Sequence, residues 1–269
     1  MRWANSYFAM LHLIVLTSPS FTAQTSTRAE QSFQRDPQAL TILSKAVNAA
    51  GGLRALSAIQ DFTASGTVTY NWGGDPAEGT VEVKGRGLSQ FRIDAALSDG
   101  AHSWIVTSSS ALEKHPDGST SSMTSPLKMK PASITFPFAE LAVALQDTSW
   151  SISYVGLVTH GGQQAYDISL QKTFSQSSDP SDSQSRVTKA DFFIDPITFS
   201  VLSMQDKAYR KDHLPGELLH EIQFSKYQIF NGILVPLSIK ELIGGQQTFE
   251  LQLTQITFNT GLTDSDFAL

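Results

Sequence analysis

The residues best suited to chemistry in this sequence crowd into one short stretch: Asp212, His213, Glu217, His220 and Glu221. Two imidazoles with neighbouring carboxylates form a donor set that a divalent transition metal accepts, or that an acid–base catalyst uses. The spacing argues against both uses. His220 alternates in step with Leu218, Ile222 and Phe224, which puts it on the buried side of a strand, and His213 precedes the turn signal Pro215-Gly216. His102, His115 and His160 each stand singly beside turns and read as solvated. The sequence contains no G-x-S-x-G, H-E-x-x-H, G-x-x-x-x-G-K-[ST] or EF-hand pattern. Gly85-Arg86-Gly87 lacks the third glycine and following helix of a dinucleotide loop and reads as a bend in a strand. Asp195-Pro196 starts a β-turn, with no catalytic role assigned to Asp195. The expectation is a protein with no catalytic residue, no metal site and no cofactor.

What remains is apolar surface. Phe62, Tyr70, Trp72, Trp104, Phe136, Phe138 and Phe224 are the candidate ligand-binding residues, and Phe192 and Phe249 extend the same aromatic interior. Singly, each fits an ordinary packed core; collectively they could line a cavity, since pockets for small molecules are mainly apolar with a few polar groups. The composition agrees. Of 269 residues, 41% are hydrophobic and 10% aromatic, ample for a core. The net charge of −6 argues against a nucleic-acid surface, which leans on clustered Lys and Arg. The absence of cysteine excludes disulfides, thiolate zinc sites and a cysteine nucleophile.

These residues need elements to hold them. Residues 1–23 carry Arg2 and then an apolar run from Tyr7 to Leu16, too short to span a bilayer, and read as a secretory signal. Residues 24–36 are polar and read as a disordered linker, with a single β-rich domain over 37–269. Asp36 and Pro37 open a helix whose stripe is Leu40, Leu43, Val47 and Ala50, and Gly51-Gly52 ends it. A short helical piece over 53–59 follows. The period then changes from 3.6 to 2, beginning with Phe62, Ala64, Val68, Tyr70 and Trp72 on one face. Strands continue to the end, with 104–112 read between the turn signals Asp99-Gly100 and Asp117-Gly118, and 175–185 read as a polar loop. Residues 140–146 suit a helix, with Pro131 and Pro137 marking a bend before it. In the last strand the apolar phase runs Phe249, Leu251, Leu253 and then jumps to Ile256 and Phe258, which predicts a bulge. An open sheet of about ten strands curls, and its concave side must be filled. The predicted fold is therefore mainly β with minor α: a curved, unclosed antiparallel barrel of about ten strands, with helices covering the concave face.

Four stretches, taken in order, resemble the LolA/LppX-like group of exported lipoprotein and lipid carriers, including the outer-membrane lipoprotein-sorting-like proteins. They are ALTILSKAVNAAGGLRALSAIQDFTASGTVTY (39–70), FRIDAALSDGAHSWIV (91–106), FFIDPITFSVLSM (192–204), and the C-terminal pattern of Tyr227, Asn231-Gly232, Pro236 and FNTGLTDSDFAL (258–269). The resemblance implies an unclosed barrel that binds acyl chains between its concave sheet and a helical lid. Without a cysteine to carry a lipid anchor, the expected form is periplasmic or secreted, with peripheral or transient membrane contact. Arg92, the nearest match to a functional arginine, falls by parity on the polar face and is not counted as a site residue. The expected function is a non-enzymatic carrier or binder of a lipid, a lipoprotein acyl chain or another hydrophobic ligand in the cell envelope. The alternative is an envelope interaction domain with a closed core, no ligand and protein partners. A secreted hydrolase or metal enzyme built on 213–221 is a third class.

Overall fold

The computed structural model of the chain describes residues 34–71, 75–122, 135–172, 189–209 and 217–268, and only the backbone of Ala208, Tyr209 and Glu217. Trp72, Asp212, His213, and the stretches expected to be a leader (1–23) and a polar loop (175–185) lie outside the described residues.

Helix α1 (Pro37–Ala49) starts as its sequence dictates. The Asp36 carboxylate accepts from the amides of Gln38 (2.7 Å) and Ala39 (3.1 Å), and Pro37 occupies the first turn, where its missing N–H is harmless. Its face of Ile42, Leu43, Ala46 and Val47 is buried. Gly51, at φ 119°, ends the helix where the chain must pass close to another turn: a Cβ there would lie 2.5 Å from the Gly232 carbonyl oxygen. Helix α2 (Leu53–Ser57) follows directly.

The strands are β1 (Asp61–Tyr70), β2 (Ala77–Arg86), β3 (Gln90–Leu97), β4 (Gly100–Val106), β5 (Ala111–Lys114), β6 (Thr120–Ser122), β7 (Trp150–His160), β8 (Gln163–Lys172), β9 (Ala190–Ile194), β10 (Val201–Tyr209), β11 (Glu217–Phe230), β12 (Ile233–Ile243) and β13 (Gln246–Phe258). They form one antiparallel sheet in the order β6-β5-β4-β3-β2-β1-β13-β12-β11-β10-β9-β8-β7. The sheet is curved and its edges, β6 and β7, do not pair, so the barrel is unclosed as expected. It has thirteen strands rather than about ten. One reason is local: the run read as a single strand over 104–112 is folded back by a turn in which the Thr107 amide donates to the Ser110 carbonyl at 2.8 Å. The bulge is where the slipped phase placed it. Gln255 faces Ser65 and Leu253 faces Gly66, leaving exposed Thr254 unpaired between them.

The order of strands dictates what covers the sheet. β6 and β7 are consecutive in sequence but lie at opposite edges, so the chain between them must traverse the sheet. Helix α3 (Pro137–Gln146) is part of that crossing, and it packs on α1, α2, β7 and β10. It starts three residues before the expected 140, because Pro137 opens the helix at its first position instead of marking a bend ahead of it. Its C-terminal end is held by Arg35, whose guanidinium donates to the carbonyls of Leu145 (2.9 Å), Asp147 (3.0 Å) and Ala144 (3.2 Å). Arg35 also bridges Ile152 of β7, so residues 34–36, read from the sequence as the end of a linker, belong to the packed unit.

The C-terminal residues are strapped to the sheet by Asp61. Its carboxylate is buried and accepts from the Thr260 amide (2.5 Å) and hydroxyl (2.8 Å), the Gly261 amide (3.1 Å) and the Leu262 amide (3.2 Å). Farther along, Arg92 pairs with Asp94 at 2.6 Å and donates to the Ala268 carbonyl at 2.6 Å, the structural use of the arginine that parity put on the polar face. Replacing Asp61 by alanine removes a charged acceptor from four donors. Asp61→Ala is expected to lower stability by about 3 kcal/mol, against about 1 kcal/mol for Thr260→Ala, read as shifts in urea midpoint at unchanged slope.

Candidate functional site

The inner face of the sheet has two ends, and β1 runs between them from Phe62 to Tyr70, roughly 26 Å at 3.3 Å per residue. At the Phe62 end, α2 and α3 stand over the starts and ends of β1 and β2 and enclose a cleft of about 370 Å³. Its walls are Leu56 and Ile59, Phe62, Gly85, and Phe136, Ala139, Ala142 and Val143, with Ser57, Gln60, Asp61 and Gln146 as polar residues. A Cβ at Gly85 would meet the Phe62 ring at 2.3 Å, so only glycine lets that ring pack this closely on β2.

The sequence-derived candidates among the described residues are spread along this face rather than gathered at one end. Phe62 and Phe136 face the cleft. Phe136 also packs on Phe258, at 6.0 Å between centroids, and Phe258 is the register partner of Phe62. Phe138 is fully buried behind them, 6.0 Å from the Tyr227 ring. The Tyr227 hydroxyl donates to the Val201 carbonyl at 2.6 Å, and burial pushes its pKa well above the ordinary value, so it stays a neutral donor. Phe224 is buried in mid-sheet opposite Ile239. Tyr70 and Trp104 sit at the far end, 5.2 Å apart, with His102 stacked on Trp104 at 5.5 Å and 9°. Burial, and then the charges of Glu113, Glu241 and Asp99, push the pKa of the Tyr70 hydroxyl up.

The polar groups also differ from their sequence reading. His220 does line the inner face, buried to 2%, but it is clamped: Nδ1 lies 2.5 Å from Asp206 of β10 and Nε2 3.1 Å from Glu241 of β12. The Thr248 hydroxyl donates to Glu241 in turn. Burial alone would lower the His220 pKa; the hydrogen bonds and charges of Asp206 and Glu241 outweigh it and leave it pushed up to about 9. Both ring nitrogens are engaged, so His220 serves neither as base nor as metal ligand in this arrangement.

The reading of His102 and His160 as solvated is corrected. His102 is 7% exposed. His160 stacks on Phe193 at 3.7 Å, with Ser203 Oγ at 2.8 Å and Glu221 Oε1 at 3.0 Å. That trio has the composition of a serine–histidine–acid set but not its geometry. Both partners meet the same nitrogen, Nε2, whereas a triad places nucleophile and acid on opposite nitrogens. Strand parity assigned His220 to the inner face, and nearness to turns made His102 and His160 look solvated; neither signal carries information about which carboxylates the neighbouring strands bring alongside.

No helix among the described residues is long and apolar enough to cross a membrane. No family model matches the sequence, and no curated protein matches it. Solved structures do share the fold. A DUF1329 family protein from Desulfovibrio piger superposes with a TM-score of 0.53 at 12% identity, covering 87% of this chain and 98% of that one. A LolA superfamily protein from Nitrosomonas europaea superposes with a TM-score of 0.52 at 10% identity, covering 86% of this chain and 97% of that one. The chain shares the fold of these two proteins, LolA-like as the four ordered stretches of sequence implied.

Proposed function

We propose that this LolA-like chain is an exported, non-enzymatic carrier that takes one acyl chain, or a ligand of similar girth, into the cleft between α2, α3 and the β1–β2 edge. The observation that supports this most directly is the cleft itself, about 370 Å³ and walled mainly by apolar side chains. That volume is within the range of pockets for small hydrophobic ligands. Each methylene taken from water contributes about 0.8 kcal/mol, so a chain of moderate length suffices for micromolar binding. Ser57, Gln60 and Gln146 offer hydrogen bonds to a polar head.

The test is titration of the purified chain with a fluorescent long-chain fatty acid. Saturable binding is expected in the wild type. Ala139→Trp, which fills the cleft from α3, is expected to weaken it at least tenfold while leaving the thermal midpoint nearly unchanged. Absence of binding in the wild type, or equal binding in the variant, would overturn the proposal.

An interaction domain is a second reading, favoured by Val155 and Leu157. They are 59% and 52% exposed and alternate along β7, a sheet edge that, among the described residues, is bridged on its outer side only at Ile152. It predicts no saturable acyl binding in the wild type, and loss of envelope-protein capture in Val155→Lys.

A further inference from the structure

We propose that His102, Glu113 and His115 form a binding site for a divalent transition-metal ion, zinc by preference. The hairpin of β4 and β5 builds it. Glu113 is the cross-strand partner of Trp104, two residues along from His102 on the same face, and His115 follows Glu113 by two, so the three side chains converge on the inner side. His102 Nδ1 lies 4.0 Å from Glu113 Oε1, and His115 Nδ1 lies 3.9 Å from the same oxygen. One donor atom from each residue falls within 4.8 Å of the other two. Zinc bonds of about 2.0–2.2 Å separate tetrahedral ligand atoms by about 3.4 Å, so the two histidine–glutamate distances close by about half an ångström, and the two imidazoles by no more than about 1.4 Å, to complete the site.

Two further features point to an ion rather than to chance proximity. The first is an orphan. The His102 side chain is only 8% exposed, and its Nδ1 is buried with no hydrogen-bond partner, the Glu113 oxygen being beyond hydrogen-bonding distance. A buried ring nitrogen in that state calls for an occupant. The second is the outer arrangement. His102 Nε2 lies 3.2 Å from both oxygens of Asp99, and His115 Nε2 lies 3.0 Å from Ser121 Oγ. Each imidazole thus has a partner on its far nitrogen and presents the near one to Glu113, the pattern by which outer partners fix tautomer and orientation in metal sites. Two imidazoles and one carboxylate suit zinc among the available divalent ions, and three protein ligands leave a fourth position to water or an anionic group. Exposure of 8%, 20% and 35% along His102, Glu113 and His115 gives the site a closed floor and an open side.

The experiment is calorimetric titration of the untagged full chain with zinc, repeated with cobalt(II), whose visible absorption reports nitrogen and oxygen ligation. One equivalent per chain is expected. Glu113→Gln and His115→Ala are expected to weaken binding by more than the roughly 10–100-fold that loss of an outer partner costs, and Asp99→Asn by about that amount. His160→Ala, which alters a different cluster, is expected to leave binding unchanged. A readout that needs no variant is the wild-type imidazole spectrum, where zinc should move the ring signals of His102 and His115 and leave those of His160 and His220 in place. Failure of the wild type to bind, undiminished binding in Glu113→Gln or His115→Ala, or movement of the other histidines instead would overturn the proposal.

Discussion

His220→Ala is expected to destabilise the folded protein by about 3–5 kcal/mol at neutral pH, because it strands two buried carboxylates. Asp206 and Glu241 flank the ring from β10 and β12, and their side chains are only 8% and 4% exposed. Removing the cation leaves them facing each other without a counter-charge. The same clamp sets a pH dependence. The folded pKa of about 9 exceeds the ordinary 6.5, so His220 binds its proton more tightly folded than unfolded. Its contribution is therefore complete below about pH 6.5, declines above it, and is gone once pH has risen through about 9. A rise of this size corresponds to about 3 kcal/mol. Thermal midpoints measured between pH 6 and 10 should fall across that interval in the wild type and lose this component in His220→Gln. A flat wild-type profile would show that the ring is not held as a cation.

Phe138→Ala is expected to cost about 3–5 kcal/mol, the range for deleting a buried aromatic ring. The ring is fully buried under α3 and meets Tyr227, so its loss opens a void where the helix rests on the sheet. Phe138 does not border the cleft, whereas Phe62 and Phe136 do. At low temperature, where the variant stays folded, Phe138→Ala should therefore bind an acyl probe as the wild type does. Guanidinium unfolding and probe titration of one sample separate the two effects. A loss of affinity in fully folded Phe138→Ala would extend the cleft beneath α3.

Much of the architecture could be read from residue order. Asp36 and Pro37 begin α1, the glycine pair ends it, and the slipped phase after Leu253 marks a bulge, because each is a local constraint with a local signature. Pro137 was the misread signal: proline breaks a helix in its interior but opens one at its first position, and only packing on α1 decides between them. The lining of the cleft was partly legible. Phe62 and Phe136 belong to the candidate set, but nothing local to β1 says which end of the strand the crossing helix will cover, and so Tyr70 and Trp104 were grouped with them. The His102–Glu113–His115 cluster was hidden for a different reason. With 104–112 taken as one extended run, His102 and Glu113 would stand roughly 35 Å apart. The four-residue turn at 107–110 brings them face to face.

The strand order also has a kinetic meaning. Among the described residues, every neighbouring pair of strands but one is consecutive in sequence, so each can close as a hairpin at little entropic cost. The exception is β1 with β13, whose register partners include Phe62 and Phe258. Nearly the whole cost of long-range closure falls on that seam, and a chain of this topology should assemble as two meanders that zip together last. The same seam would be the first to part in a partial unfolding, and native-state amide exchange should find β1 and β13 opening together ahead of the strands on either side. Because Phe62 is a wall of the cleft and Phe258 is its partner across the seam, such an opening would offer a route for loading and unloading that leaves α3 in place.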